Sequence, residues 1–155
     1  MKKIIMICLS IFIMAGTSIA LAADTTDLAT KKTELVAFVD KAANFYKDNG
    51  ETKAMAAFND PKGGFQEGEL YIFAVATDGL TSAHVNQKLV GKNVLGLKDP
   101  EGTLFIQEMI KVANASGKGW VDYSWTNPET KKVQAKTSYL VAVSKKLFLS
   151  AGIYK

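Results

Sequence analysis

The stretch Glu69–Thr77, ELYIFAVAT, constrains the fold more than any other part of the chain. In extended form Tyr71, Phe73 and Val75 share one face, and Leu70, Ile72 and Ala74 share the other. Both sets are apolar, which predicts a strand in the centre of a sheet. Asp78-Gly79 follows as a two-residue hairpin turn, and Leu80–His84 returns as the partner strand. Strand patterns recur downstream. Trp120–Trp125 turns at Asn127-Pro128, Lys132–Val143 alternates along much of its length, and Leu147–Tyr154 is the last strand.

Helical spacing fills the remainder. Thr25–Asn49 carries Leu28, Leu35, Phe38, Ala42 and Phe45 at steps near three, four and seven. Thr25, Thr26 or Asp27 can cap its start, and Asn49-Gly50 ends it. Glu51–Phe58 reads as a short second helix stopped at Asn59-Asp60-Pro61. Thr103–Ser116 reads as a third, closed by Gly117 and Gly119. Lys62–Gly68 is a glycine-rich loop around Phe65, and Val85–Pro100 is loop. The order helix, short helix, two strands, helix, three strands predicts an α+β fold, an antiparallel sheet with helices packed on one side.

Residues 1–22 stand apart from this domain. Lys2 and Lys3 precede an apolar run, Ile4–Met14, broken only by Ser10, and Ala20-Leu21-Ala22 supplies small residues. That pattern predicts a secretory signal peptide cleaved after about Ala22, with one domain over 23–155 in the periplasm or outside the cell. The apolar run is shorter than the roughly 20 residues of a membrane span. A membrane attachment is expected only if the peptide stays uncleaved. Cys8, the single cysteine, lies in this leader, so the mature domain holds no disulfide, thiolate nucleophile or cysteine-based metal site.

All nineteen basic side chains are lysine. Without the two in the leader, seventeen lysines face fifteen acids, a balance that argues against nucleic acid as a partner. With no guanidinium available, a bound anion must be held by lysine, the single histidine, hydroxyls, indole N–H or backbone N–H groups. The mature sequence has no GxSxG, HExxH, Walker or CxxC motif, and its acids do not fall in a calcium-loop spacing. The sequence therefore predicts no enzyme, no cofactor and no metal.

The segments FNDPKGGFQEGELYIFAVATDGLTSAH, LVGKN, KDPEGTLFIQEM, GKGWVDYSWTNPETKKVQAKTSYL and AGIYK, in this order behind an amphipathic helix, resemble a single Cache domain. This is the PAS-like extracellular sensor domain of the second single-Cache type, here in a standalone secreted form. The resemblance implies a long N-terminal helix across a curved antiparallel sheet of about five strands. It also implies a pocket between the inner sheet face and the loops and helix covering it, for small organic molecules, often short carboxylates. Members usually hang between two membrane helices of a chemoreceptor or histidine kinase. Here the sequence shows no signalling module, and His84-Val85 stands where the family usually has His-Pro, which weakens any role carried over to His84.

Eight residues are candidates for such a site: Lys136, Tyr123, Trp125, Tyr71, Phe73, His84, Trp120 and Phe65. On a strand Val121, Tyr123 and Trp125 point one way and Trp120, Asp122 and Ser124 the other; in the next strand Gln134, Lys136, Ser138 and Leu140 share a face. Alternation alone leaves Lys136 either in solvent or buried against an anion, from the protein or from a ligand. The resemblance implies the pocket, with Lys136 as the point charge for a ligand carboxylate. Tyr71, Tyr123 and Trp125 then add donors and exclude water, or else are plain core with Phe73. His84 is a donor to the ligand or a satisfied structural residue. Phe65 is lid or core, and Trp120 lines the pocket or plugs the end of the helix before it.

Two functions follow. One is a periplasmic sensor of a small organic acid, working in chemotaxis-type signalling by docking on a membrane receptor or kinase. The other is a scaffold of the same fold that binds no ligand.

Overall fold

The computed structural model describes residues 19–155, with side chains from residue 27 onward. The leader and its cleavage point, expected over 1–22, lie outside the residues whose side chains are described. The elements are α1 (Ile19–Asn49), α2 (Glu51–Asn59), β1 (Gln66–Glu67), β2 (Leu70–Tyr71), β3 (Phe73–Ala76), β4 (Thr81–Ala83), α3 (Phe105–Ser116), β5 (Lys118–Thr126), β6 (Val133–Ser144) and β7 (Leu147–Tyr154). Among the described residues no helix is long and apolar enough to cross a membrane.

Five strands form one antiparallel sheet in the order β4-β3-β7-β6-β5. The centre is β7, in which all eight residues are buried. Its LFLSAGIY sequence presents apolar or small side chains to both faces and so suits that place. The expectation for Glu69–Thr77 is corrected in two ways. That stretch is two strands rather than one. Leu70–Tyr71 pairs with Gln66–Glu67 in a small separate hairpin turned at Gly68, whose φ of 57° lies in the left-handed region. Phe73–Ala76 then joins the main sheet, with β4 on one side and β7 on the other, so it is interior but not central. The change of sheet falls at Ile72, whose N–H donates to the Phe65 carbonyl at 3.1 Å.

The two-faced alternation holds through the break. Ile72 and Ala74 pack under α1 and α2 in one core, with Leu35, Val39, Ala42, Ala54, Phe58, Leu149, Ala151 and Ile153. Tyr71, Phe73 and Val75 belong to a second core, with Leu140 and Phe148 of the sheet and Phe105, Ile106, Met109 and Ala113 of α3. Helices therefore cover both faces of the sheet, not the one face expected. The reason is that each sheet face is apolar and each must be covered. α3 keeps its apolar stripe on the second face and stops at Gly117, a left-handed cap whose N–H returns to Ala113 at 3.0 Å.

Two candidate residues sit on the α1 face, opposite the others. Phe65 joins a ring cluster with Phe38, Phe45 and Phe58, edge-on to Phe58 at 4.7 Å between centroids. It is core beneath α1 and α2, because the Lys62–Gly68 loop folds back over that core. Trp120 is 38% exposed, tilted against Tyr139, with the Lys32 ammonium of α1 above its ring at 5.1 Å. Strand parity on β5 turns it away from Tyr123 and Trp125.

Candidate functional site

The remaining six candidates meet on the second face, beneath α3 and the 85–104 loop. The register of three strands does this. Tyr123 lies opposite Lys136, and Lys136 opposite Tyr154, so these side chains stand abreast on one face. One row on, Ser138 faces Gly152. The glycine gives room: a Cβ there would lie 2.5 Å from Lys136 Cε and 2.2 Å from Ser138 Oγ.

Lys136 is 1% exposed. Its Nζ donates to Tyr71 Oη at 3.0 Å and to Tyr154 Oη at 3.3 Å. It also lies over the rings of Tyr71 (4.2 Å), Tyr154 (4.7 Å) and Phe73 (5.8 Å). Among the described residues no carboxylate pairs with it. Glu69 attracts it through space, while the Glu69 carboxylate accepts from Asn127 Nδ2 at 2.8 Å, which ties the β1–β2 hairpin to the β5–β6 turn. Tyr154 Oη donates onward to the Thr126 carbonyl at 3.1 Å, and Tyr123 Oη and Ser138 Oγ share a hydrogen bond of 3.1 Å.

His84 is buried at the end of β4, with its ring against Tyr71, Phe73 and Trp125. Its Nδ1 accepts the Asn86 N–H at 2.8 Å. That bond sets the neutral tautomer, with the proton on Nε2, so the ring offers a donor. The Asn86 contact forms with valine at position 85. Phe105 of α3 stacks on Tyr123 at 4.4 Å and meets Trp125 edge-on at 5.4 Å, closing the aromatic wall.

Against this wall lies a small, partly open cavity of about 20 Å³, lined by Phe73, Val75, Thr81, His84, Leu89, Ile106 and others. In front lies a solvent-open cleft of about 670 Å³ between Gly68, Tyr71, Asn86 and the Thr126–Glu129 turn. His84, Leu89 and Trp125 border both spaces. Among the described residues no cluster of His, Cys, Asp or Glu is arranged to hold a metal.

Burial dominates the electrostatics. It holds the Lys136 ammonium far below the ordinary 10.5, at about 7, with Glu69 pulling partly back. Burial first, and the Lys136 charge second, lowers His84 from 6.5 to about 3. Burial raises Tyr71 and Tyr123 and pushes Tyr154 up to about 12, so all three phenols keep their protons. For both bases the unfolded chain binds more protons than the folded one, His84 between pH 3 and 6.5 and Lys136 between pH 7 and 10.5. Their contribution to stability therefore rises with pH through both windows. Urea unfolding midpoints should climb from about pH 4 to pH 9 at these two groups. A Lys136→Met variant should lose the upper limb; an unchanged limb would mean that the nitrogen is hydrated.

Four contributors were not among the candidates: Tyr154, Ser138, Gly152 and Thr81. Ser138 carries a parity signal, since it shares a face with Lys136. Tyr154 and Gly152 depend on the β6–β7 register, and Thr81 on how the 85–104 loop closes over β4.

Three comparisons bear on this architecture. A methyl-accepting chemotaxis protein of Vibrio parahaemolyticus superposes with a TM-score of 0.73 at 27% identity, covering 87% of this chain and 96% of that one. A Cache chemosensory domain solved for its carboxylic acid recognition superposes at 0.69 with 23% identity, over 83% of this chain and 97% of that one, a likeness of fold. Sensor histidine kinase MctS of Rhizobium johnstonii is 35% identical over 86 residues, which is 54% of this chain and 18% of that protein. The match thus spans less than a fifth of that relative's length. The family model of the Cache domain (dCache_2) matches residues 27–155. That range takes in the sheet, both helical layers and the row of Tyr123, Lys136 and Tyr154, and the chain belongs to the Cache domain family.

Proposed function

We propose that this domain is an extracytoplasmic sensor of a short organic carboxylate, with Lys136 Nζ as the charge partner of the carboxylate. One observation carries the reading: a fully buried lysine lies among phenols and aromatic rings, and among the described residues no carboxylate is paired to it. An isolated buried ammonium is unfavourable, and an anionic guest removes the penalty. Tyr71, Tyr123, Trp125 and the Nε2–H of His84 supply donors, and Phe73 gives an apolar wall. The carboxylic acid recognition of the similar Cache chemosensory domain supports this ligand class. The leader expected over 1–22 exports the domain. Its partner is a membrane receptor or kinase, in keeping with the sensor kinase among its relatives.

The test is a panel of short acids, amines and amino acids followed by calorimetry and thermal melting. At least one acid should raise the melting temperature, since a ligand at about 100 times its Kd stabilises by about 2.7 kcal/mol. Affinity should fall as pH rises above 7, where Lys136 loses its proton. A flat response across the whole panel would leave only the ligand-free scaffold.

A further inference from the structure

The inner cavity ends on a residue whose chemistry is otherwise unexplained. Thr81 of β4 is 2% exposed, and its Oγ1 is the buried side-chain polar atom without a hydrogen-bond partner among the described residues. Its backbone is satisfied on both sides: the N–H donates to Lys92 and the carbonyl accepts from Gly91. Burying a lone hydroxyl is costly, and a valine would fill the same strand position at no such cost. Around it stand Val75, Leu89, Val94, Leu97 and Ile106, all hydrocarbon; no charged side chain lines the cavity, and its His84 is neutral.

The cavity is continuous in its walls with the lysine cage. Phe73 lies under the Lys136 ammonium and also lines the cavity, as do His84 and Tyr123. Phe73 and His84 are thus common to the surroundings of Lys136 and of Thr81. The space there, about 20 Å³, suits one small terminal group of about a water's size. A second carboxylate at that end would be buried without a counter-charge.

We propose that Thr81 is the specificity-determining residue at the far end of this site, selecting a short monocarboxylate whose distal carbon carries one uncharged oxygen, a hydroxyl or carbonyl. This rests on the carboxylate reading above and adds the other end of the ligand. Lys136 fixes the acid, Thr81 Oγ1 pairs with the distal oxygen, and the hydrocarbon walls exclude a second charge.

The test uses matched pairs in the calorimeter: propanoate with 3-hydroxypropanoate, butanoate with 4-hydroxybutanoate, and succinate as the two-charge control. The wild-type protein should bind one hydroxy acid about 10-fold or more tighter than its parent, because a site with an unpaired polar group discriminates strongly for its partner. Succinate should bind about 100-fold weaker or not at all. Thr81→Val should abolish the preference for the hydroxy acid over its parent, and Thr81→Ser should retain it. A wild type that shows no preference overturns the proposal whether or not the valine variant folds. So does a preference unchanged in Thr81→Val, which would mean that a water serves the hydroxyl. If no acid of either series binds the wild type, the carboxylate reading itself fails. If alkanoates bind well without discrimination, only the assignment of Thr81 fails.

Discussion

Lys136→Met is expected to fold at least as firmly as the parent protein and to bind carboxylates about 100-fold more weakly or worse. Methionine has about the length and girth of the lysine stem and suits a site walled by Tyr71, Phe73 and Tyr154. In the parent the ammonium faces these rings and donates to two phenol oxygens. Replacing a buried charge by a packed apolar group is commonly neutral or stabilising by about 1–4 kcal/mol. Tyr154 keeps its bond to the Thr126 carbonyl, so one phenol stays satisfied without the lysine. Stability and binding should therefore move in opposite directions, read by urea unfolding on one side and calorimetry on the other. A variant that binds as the parent does would place the anchor elsewhere. A variant that fails to fold would make the lysine a structural strut.

Gly152→Ala is expected to impair both fold and site, although its position bears no functional group. The added Cβ would meet Ser138 Oγ at 2.2 Å, Lys136 Cε at 2.5 Å and the Thr137 carbonyl oxygen at 2.9 Å. The first two can move only by shifting the hydroxyl that bonds Tyr123 and the stem that carries the ammonium. The third is backbone of a ladder in the middle of the sheet. Overpacking of this kind costs about 1–3 kcal/mol. Displacing the ammonium from its phenol partners should lower carboxylate affinity by about 10-fold or more. If Gly152→Ala binds acids normally, the lysine stem has another resting place and the row of Tyr123, Lys136 and Tyr154 is not the anchor.

The sequence carries the local half of this site and not the long-range half. Parity along single strands places Tyr71 with Phe73, Tyr123 with Trp125, and Lys136 with Ser138, because a strand alternates whatever its neighbours are. It also sets Trp120 opposite Trp125, and the structure follows that parity in turning Trp120 toward Lys32. What parity cannot give is which face of one strand matches which face of another. That is decided by register, and register brought Tyr154 beside Lys136 through pairing of the sixth and seventh strands. The break at Ile72 was hidden for a related reason. Nothing in ELYIFAVAT disfavours one continuous strand, and the hairpin with Gln66–Glu67 arises from a loop folding back. Phe65 went to the α1 face because three phenylalanines from two helices meet there, a meeting that no window of local sequence contains.

The place of β7 has a consequence for biogenesis. The strand that joins β3 and β4 to β5 and β6 is the latest of the seven to be synthesised. Until Leu147–Tyr154 is made, the two hairpins have no common neighbour, and their apolar faces cannot be joined into one sheet. Completing the sheet therefore rests on contacts far apart along the polypeptide. Removing Leu147–Tyr154 would take away the strand that bridges the two halves of the sheet.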